Sequence, residues 1–428
     1  MILLGLDVGT TSVKAAAFDE SLREVGHGRA PTPWTGTELD PDALLAAALA
    51  AAEATVPAGE TVAAVGVAGM AETGVLVDAA GDPVVPSIAW HDPRGAEEAA
   101  RIAAELPEFS ARTGLPATPL CTLAKYAWMR EHWPDAVRGT RWANVAEWIV
   151  QGLGGSREAE SSLASRTGFY DIHAGGPWLA ALELAGAPDG LAPPHVPAGT
   201  PLGRVGERPA RRGGEILRRL DGAVLAVGGH DHLAAAVGAG AAGEGDVLDS
   251  CGTAEAILRA TAPLAPDVVA RAVADGFTVG WHAIEGRFVL QGAVWAGEAL
   301  QAVCDLLGVP TEAREGLEAA ALAADPGTLA IDGLDAETLT VTGLTGGASP
   351  GALYRAALER IGADGASVLA RMERLAGPAA RLVVTGGWSE GVAARAVKQR
   401  HLGRFEHSAA IFAGSRGAAI AARRALRT

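Results

Sequence analysis

The apolar positions of the chain gather into short runs closed by glycines and small polar residues, with alanine-rich stretches between them. Ile2-Leu3-Leu4-Gly5-Leu6 leads into Asp7-Val8-Gly9-Thr10-Thr11-Ser12, after which Val13, Ala15 and Ala17 resume the apolar pattern. This predicts a β-hairpin with a polar turn. Pro41 to Ala54 predicts a helix, Thr61 to Val67 a strand, and Val75 to Val77 a strand that meets the turn signal Asp78–Pro83. Helices are expected over Ala96–Leu106 and Leu123–His132, and residues 186–214, rich in Pro, Gly and Arg, read as surface connections. Ala223 to Val227 predicts a buried strand that ends in Gly228-Gly229-His230-Asp231-His232 and an alanine-rich helix. A second hairpin is expected where Val247 and Leu248 enter Asp249-Ser250-Cys251-Gly252-Thr253 and Ala256, Ile257 and Leu258 follow. Leu382-Val383-Val384 then closes on Thr385-Gly386-Gly387-Trp388, and a last helix starts near Ser415. Strands and helices alternating in this way predict an α/β chain with two domains, 1–240 and 241–428.

Composition narrows the function classes. A chain of 428 residues, 49% hydrophobic and 20% charged, has material for two sizeable cores. Its net charge of −15 argues against nucleic acid or an anionic membrane as the main partner. It does not exclude ATP, because a few backbone N–H groups and one Mg²⁺ decide that locally. The three cysteines, Cys121, Cys251 and Cys304, are isolated and odd in number, so no disulfide framework or zinc spacing follows. A cytoplasmic protein is expected, since neither a signal-type segment nor a membrane-length apolar run stands out.

The two strand–glycine–threonine turns carry the first chemical expectation. Gly9 permits a turn whose N–H groups form a concavity for phosphate oxygens, with Thr10, Thr11 and Ser12 as further donors and Lys14 as a nearby charge. Asp7, at the strand end, is placed to orient Mg²⁺ through its waters. One such turn is equally an ordinary hairpin; a second copy at Gly252 and Thr253 points to two lobes gripping a polyphosphate.

Asp231 opens a helix after a strand and two glycines. The position suits an N-cap and also a general base, and the helix dipole keeps the carboxylate ionised in both cases. Metal binding by His230, Asp231 and His232 is disfavoured, because alternate residues at a strand–helix junction point apart. Glu72, Trp90, Asp92 and Arg94 each follow an apolar segment. Singly they suit surface charges or a packed aromatic; together they suit sugar recognition, carboxylates accepting from hydroxyls and an aromatic face covering carbon. Asp92 and Arg94 equally suit a local salt bridge. Gly386-Gly387 fits a flat nucleotide base or merely a tight turn, and Gly292, Gly297 and Gln301 fit the same surface or a glycine-interrupted core helix.

In their order along the chain these pieces resemble the FGGY family of carbohydrate kinases. Leu6–Ser12 resembles that family's first phosphate loop, Trp90-His91-Asp92-Pro93-Arg94 its W-x-D-x-R sugar segment, and Thr122–His132 one of its signatures. Glu160–Gly168 continues that signature. Gly228–Asp231 is similar to the segment with the catalytic aspartate, Cys251-Gly252-Thr253 to the second phosphate loop, and Thr385-Gly386-Gly387 to the adenine-side glycines. There are departures: Leu120 stands at a signature position that usually holds a small residue, an aromatic or Met, and Gly343–Glu359 matches the second signature only in part. Ala71-Glu72 stands where xylulose kinases have Met-His and glycerol kinases Arg-Glu, so the carboxylate is kept without its neighbouring arginine.

The resemblance implies the two-lobed actin-like/hexokinase/Hsp70 ATPase fold, a duplication of ribonuclease H-like domains with a cleft between lobes. It implies ATP and Mg²⁺, with Asp231 deprotonating a substrate hydroxyl as it attacks the γ-phosphate. Glu72, Trp90, Asp92, Arg94, Asp231 and His232 would contact substrate, and Asp7 the metal. Gly9, Thr10, Thr11, Ser12 and Lys14 would contact ATP from one side. Gly252, Thr253, Gly297, Gln301, Gly386, Gly387 and Trp388 would do so from the other. The expected substrate is a ketose such as a pentulose, with a ketohexose or a polyol (glycerol or a tetritol) as the alternative. A nucleotide-dependent switch or chaperone-like ATPase is the rival of another class, and a homodimer is the open oligomeric expectation.

Overall fold

Apolar residues Ile2–Val8 form strand β1, buried along its whole length, and turn into β2 (Ser12–Phe18) and β3 (Glu24–Pro31), all antiparallel neighbours. The structure is a computed structural model, and it describes all 428 residues except 212, 213, 253, 311, 312, 326 and 334–338. Helix α1 (Pro41–Thr55) starts where Asp40 accepts the Asp42 N–H and Pro41 presets the first helical turn. Strand β4 (Val62–Gly69) then pairs parallel with β1. Helices α2 (Thr122–His132), α3 (Val145–Gly152) and the short α4 (Ser161–Ala164) follow. Strand β5 (Val224–His230) pairs parallel with β4 and runs directly into α5 (Asp231–Ala239). The sheet order is β5-β4-β1-β2-β3.

The pleat divides this sheet into two faces. Leu4, Leu6 and Val8 join Leu44 and Leu45 of α1 in one core, whereas Leu3, Ala16 and Phe18 join Ala419 and Ala422 of the C-terminal helix Ala413–Ala425 in another. That helix approaches the sheet so closely that a Cβ at Gly5 would lie 1.8 Å from the Ser415 carbonyl, and one at Gly66 1.9 Å from that of Ala418. Only glycine fits at either strand position.

Two compact units result. The first comprises Met1–Gly240 with Ala262–Val289 and Phe412–Thr428; the second comprises Ala241–Thr261 and Leu290–Ile411. A simple division at 240 therefore leaves out two later segments that return to the first unit, one of them the C-terminal helix packed through Gly5 and Gly66. The second unit repeats the opening motif. Its β6 (Asp246–Cys251) turns into antiparallel β7 (Glu255–Thr261), helices α6 (Gly297–Leu306), α7 (Arg314–Ala323) and α8 (Pro350–Ala376) follow, and β8 (Arg381–Thr385) pairs parallel with β6. Helix α9 (Val392–Leu402) and strand β9 (Glu406–His407) complete it. Among the described residues no helix is long and apolar enough to cross a membrane.

Candidate active site

Parallel pairing aligns the carboxyl ends of β1, β4 and β5: Asp7 lies opposite Ala68, and both Val8 and His230 lie opposite Gly69. Side chains that leave these strand ends meet at one edge of the sheet, the usual place for ligands in open α/β sheets. Asp7, the β1–β2 turn, Glu72 and Asp231 all belong there.

The turn is built to present donors. Its carbonyls are tied back: Gly9 O accepts from Thr32 Oγ1 (2.7 Å), Thr10 O from Trp34 Nε1 (2.6 Å) and Thr11 O from the Thr32 N–H (3.1 Å). Among the described residues the N–H groups of Thr10 and Thr11 make no hydrogen bond. The Gly9 N–H donates to Ser12 O at 3.2 Å. Thr10 Oγ1 accepts from Trp90 Nε1 (3.0 Å), so the turn and the predicted sugar wall share a contact.

Beneath the turn, Asp7 is 9% exposed, and its buried Oδ1 has no hydrogen-bond partner among the described residues. Burial raises its carboxyl to about 6, against the opposing pull of the Lys14 ammonium, which lies 3.9 Å from Oδ2. An orphaned carboxylate oxygen beside a donor-lined turn fits a hydrated divalent cation, whose charge would ionise Asp7 fully.

Asp231 occupies the first helical position of α5, and His230, rather than Asp231, stands at the N-cap. Its Oδ1 accepts from the His232 N–H (2.7 Å) and lies 3.2 Å from His230 Nε2, while Oδ2 has no bond among the described residues. Burial pushes this carboxyl up, but His232, through its ring and its N–H, and Lys14 hold it below the ordinary value. It is an ionised carboxylate with one free oxygen, the condition for a general base. The His230 and His232 rings meet edge to face, 5.2 Å between centroids.

On the substrate side, Glu72 holds left-handed backbone (φ 60°), uncommon for a residue with a side chain and a frequent mark of functional constraint. Its Oε1 receives Arg166 Nε (2.6 Å) and Nη2 (2.5 Å), and Arg166 Nη1 donates to Thr278 Oγ1 (2.6 Å). Trp90 is half-buried, its N–H donated to Thr73 Oγ1 and its carbonyl bound by the buried Lys125 ammonium (2.8 Å). Burial lowers Lys125 to about 8.

Asp92 and Arg94 are engaged with each other. The Asp92 carboxylate accepts from the Arg94 N–H, Nε and Nη2 and from Thr37 Oγ1, and Arg94 Nη1 reaches Glu38 at 2.6 Å. Burial opposes ionisation of Asp92, yet these bonds keep its carboxyl far below the carboxylate range. All four of its acceptor positions are taken, so the pair braces the segment next to Trp90.

In the second unit, a Cβ at Gly386 (φ 100°) would lie 2.5 Å from Cys251 O, so the Thr385-Gly386 bend sits directly against the Cys251-Gly252 turn. Among the described residues nothing lies within 4 Å of a Cβ built at Gly387, and Trp388 lies under the Arg314 guanidinium, 4.4 Å from the ring centroid. Arg314 also donates to Gly387 O (3.0 Å). Gly297 begins α6 rather than interrupting it, and Gln301 Nε2 donates to Asp305 Oδ1 (2.8 Å). Thr253 lies outside the described residues. The N-terminus of α9 is closed by the protein itself: Glu318 Oε2 accepts the Ala393 and Ala394 N–H groups at 2.8 and 3.1 Å.

Residues 2–238 match the N-terminal domain of the FGGY family of carbohydrate kinases. The chain belongs to this family. It is similar to xylulose kinase of Streptomyces rubiginosus, 29% identical over 94% of this chain and 83% of the relative. Glycerol kinase of Trichlorobacter lovleyi is 32% identical over 90% of this chain and 82% of its own. Among solved structures, xylulose kinase from Rhodospirillum rubrum superposes with a TM-score of 0.85 at 25% identity, covering 99% of this chain and 89% of that one. The protein is accordingly a carbohydrate kinase, a phosphotransferase with an alcohol group as acceptor, on the two-lobed actin-like ATPase fold.

Set beside its FGGY relatives, the site contains residues that sequence reasoning passed over. Position 71 is alanine, but Arg166 brings a guanidinium to Glu72 from a distant segment. Glu160 and Ser162 are buried, and Ser162 Oγ accepts the N–H of His230, the residue before Asp231. Both, like Arg166, lie in the Glu160–Gly168 stretch that resembled a family signature. That was the only signal available, since a Glu, a Ser and an Arg at such spacing are otherwise unremarkable.

Proposed function

We propose that this carbohydrate kinase phosphorylates a hydroxyl of a small neutral sugar, a pentulose foremost, with Asp231 as general base and ATP as phosphoryl donor. The observation that carries this reading is the free Oδ2 of an ionised Asp231 at the strand edge that also bears the open Thr10 and Thr11 N–H groups. Phosphoryl transfer asks chiefly for positioning and for neutralising charge on the equatorial oxygens. The Gly9–Ser12 turn, with Lys14 beside it, donates to phosphate oxygens; Gly252, Thr253, Gly386, Gly387 and Trp388 are the residues of the second unit assigned to nucleotide. Asp7 would hold Mg²⁺, which when bound neutralises phosphate charge.

Glu72, Arg166 and Trp90 form the substrate wall. The Arg166 charge is balanced by Glu72, which favours an uncharged polyhydroxy substrate over a sugar acid. Because Asp92 and Arg94 are spent on each other, the W-x-D-x-R segment supports the ketose reading through Trp90 and its bracing. A polyol such as glycerol is the second reading, favoured by the Glu72 carboxylate itself. The test is a coupled ADP-release assay over ketoses, polyols and sugar acids. Strong stimulation by one neutral sugar supports the reading; turnover indifferent to sugar, or stimulated by an acid alone, refutes it.

A further inference from the structure

The group behind Asp231 has no part in the chemistry so far. His230 is 5% exposed at its side chain and is held at both ends. Its backbone N–H donates to Ser162 Oγ (3.0 Å), and the Ser162 hydroxyl donates to Glu160 Oε2 (2.6 Å), which also receives the Leu163 N–H (3.0 Å). The Glu160 N–H in turn donates to Glu147 Oε1 (2.8 Å) in the first turn of α3. Every one of these residues is buried. A helix N-cap usually satisfies orphan N–H groups with its own short side chain. Histidine at this N-cap makes no such bond, and its ring turns to Asp231 instead.

Gly229 shows how closely the parts are fitted. Its φ is 99°, and a Cβ there would stand 2.7 Å from Ser162 Oγ. The His230 ring comes within 3.2 Å of Asp231 Oδ1 through Nε2, while its buried Nδ1 has no partner among the described residues. At 3.2 Å the ring edge contacts Oδ1 without the alignment of a hydrogen bond; a proton on Nε2 would face that carboxylate and leave Nδ1 as a bare lone pair. Burial, lowering the ring's pKa to about 3, keeps it in that neutral form. With Oδ1 bonded by the His232 N–H and the ring packed 3.2 Å from it, Asp231 is left a single unengaged oxygen to aim.

We propose that His230, anchored by Ser162 and Glu160, is the positioning residue that fixes Asp231 so that Oδ2 alone meets the substrate hydroxyl. This rests on the reading of Asp231 as base. Asp7 and Lys14 of the first hairpin, His232 of α5 and Arg166 after α4 also bear on this group, and none of them is altered in the variants that test it. A base displaced by about 1 Å loses on the order of 100-fold in rate. His230→Leu removes the ring nitrogen that faces Oδ1, whereas His230→Gln returns an N–H group at similar reach.

With the full chain and its best sugar, His230→Leu should lower kcat by roughly 10- to 100-fold and leave KM for sugar and ATP within about 2-fold, and His230→Gln should recover most of the loss. Ser162→Ala should lower kcat by about 5- to 10-fold, with Ser162→Thr recovering it. Equal losses in His230→Leu and His230→Gln, or losses seen in KM alone, would overturn the proposal. Should His230→Leu fail to fold, the Ser162 pair decides by the same criteria. Asp231→Asn serves as the reference: activity surviving there would remove the base itself, an outcome distinct from an intact base indifferent to His230.

Discussion

The two hairpin turns share a sequence pattern and differ in what lies under them. Beneath Gly9, Asp7 keeps one oxygen without a partner, and its nearest cation, Lys14, stands 3.9 Å away with its side chain half exposed. Beneath Gly252, Asp249 is fully buried and bound to Lys398 Nζ at 2.7 Å, and Glu255 lies 2.8 Å from the same ammonium. Burial alone would discharge Lys398, but the two carboxylates hold it protonated, while burial and Asp249 raise Glu255 to about 8. One acid of the duplicated motif is left open for a cation from outside; the other is neutralised by the chain's own ammonium. A repeated scaffold thus keeps both turns while reserving the chemistry for one.

The contrast breaks most readily at Lys398. Lys398→Met leaves the buried Asp249 carboxylate without its cation, beside Glu255, and should cost about 3–5 kcal/mol of stability in urea unfolding. A loss below about 1 kcal/mol would mean that the cluster is hydrated rather than sealed.

Asp7→Asn should act in the opposite sense, lowering kcat by about 100-fold or more and stabilising the fold near neutral pH. The sign follows from a folded pKa raised from 3.8 to about 6. Across that window the folded chain binds more protons than the unfolded one, so stability falls as pH rises. Melting temperatures of wild type and Asp7→Asn should therefore converge at low pH and separate in favour of the variant above about pH 6. Parallel curves would show that Asp7 is not the strained acid of the pair.

Arg166→Met sharpens the substrate side of the first unit. It should raise KM for the sugar by about 10-fold and leave KM for ATP unchanged, as expected when a group that orients an acceptor carboxylate is lost. An equal change in both constants would assign Arg166 to the fold alone. Gly5→Ala is the smallest test, a few degrees in melting temperature or more, since the added methyl must displace the C-terminal helix.

What the sequence disclosed follows from the range of the forces involved. Both hairpins, α1 and the strand before Asp231 were legible because apolar periodicity and turn residues act over a few neighbours. Asp231 was legible for the same reason, though not that His230 takes the cap. Asp92 and Arg94, two positions apart, allowed a sugar contact or a mutual pair, and the side-chain geometry favours the pair. Contacts between distant segments left no local trace: Arg166 on Glu72, Lys398 on Asp249, and the C-terminal helix on Gly5 and Gly66. In the last case the glycines were visible as interruptions of apolar strands, but nothing nearby said what would fill the space.

The most direct test of the account is ADP release by Asp231→Asn in the presence of the preferred sugar, with ATP affinity measured in the same preparation. Turnover reduced by roughly 1,000-fold or more, with ATP still bound at wild-type affinity, is the predicted result. Turnover within about 10-fold of wild type would contradict it and move the base to another residue.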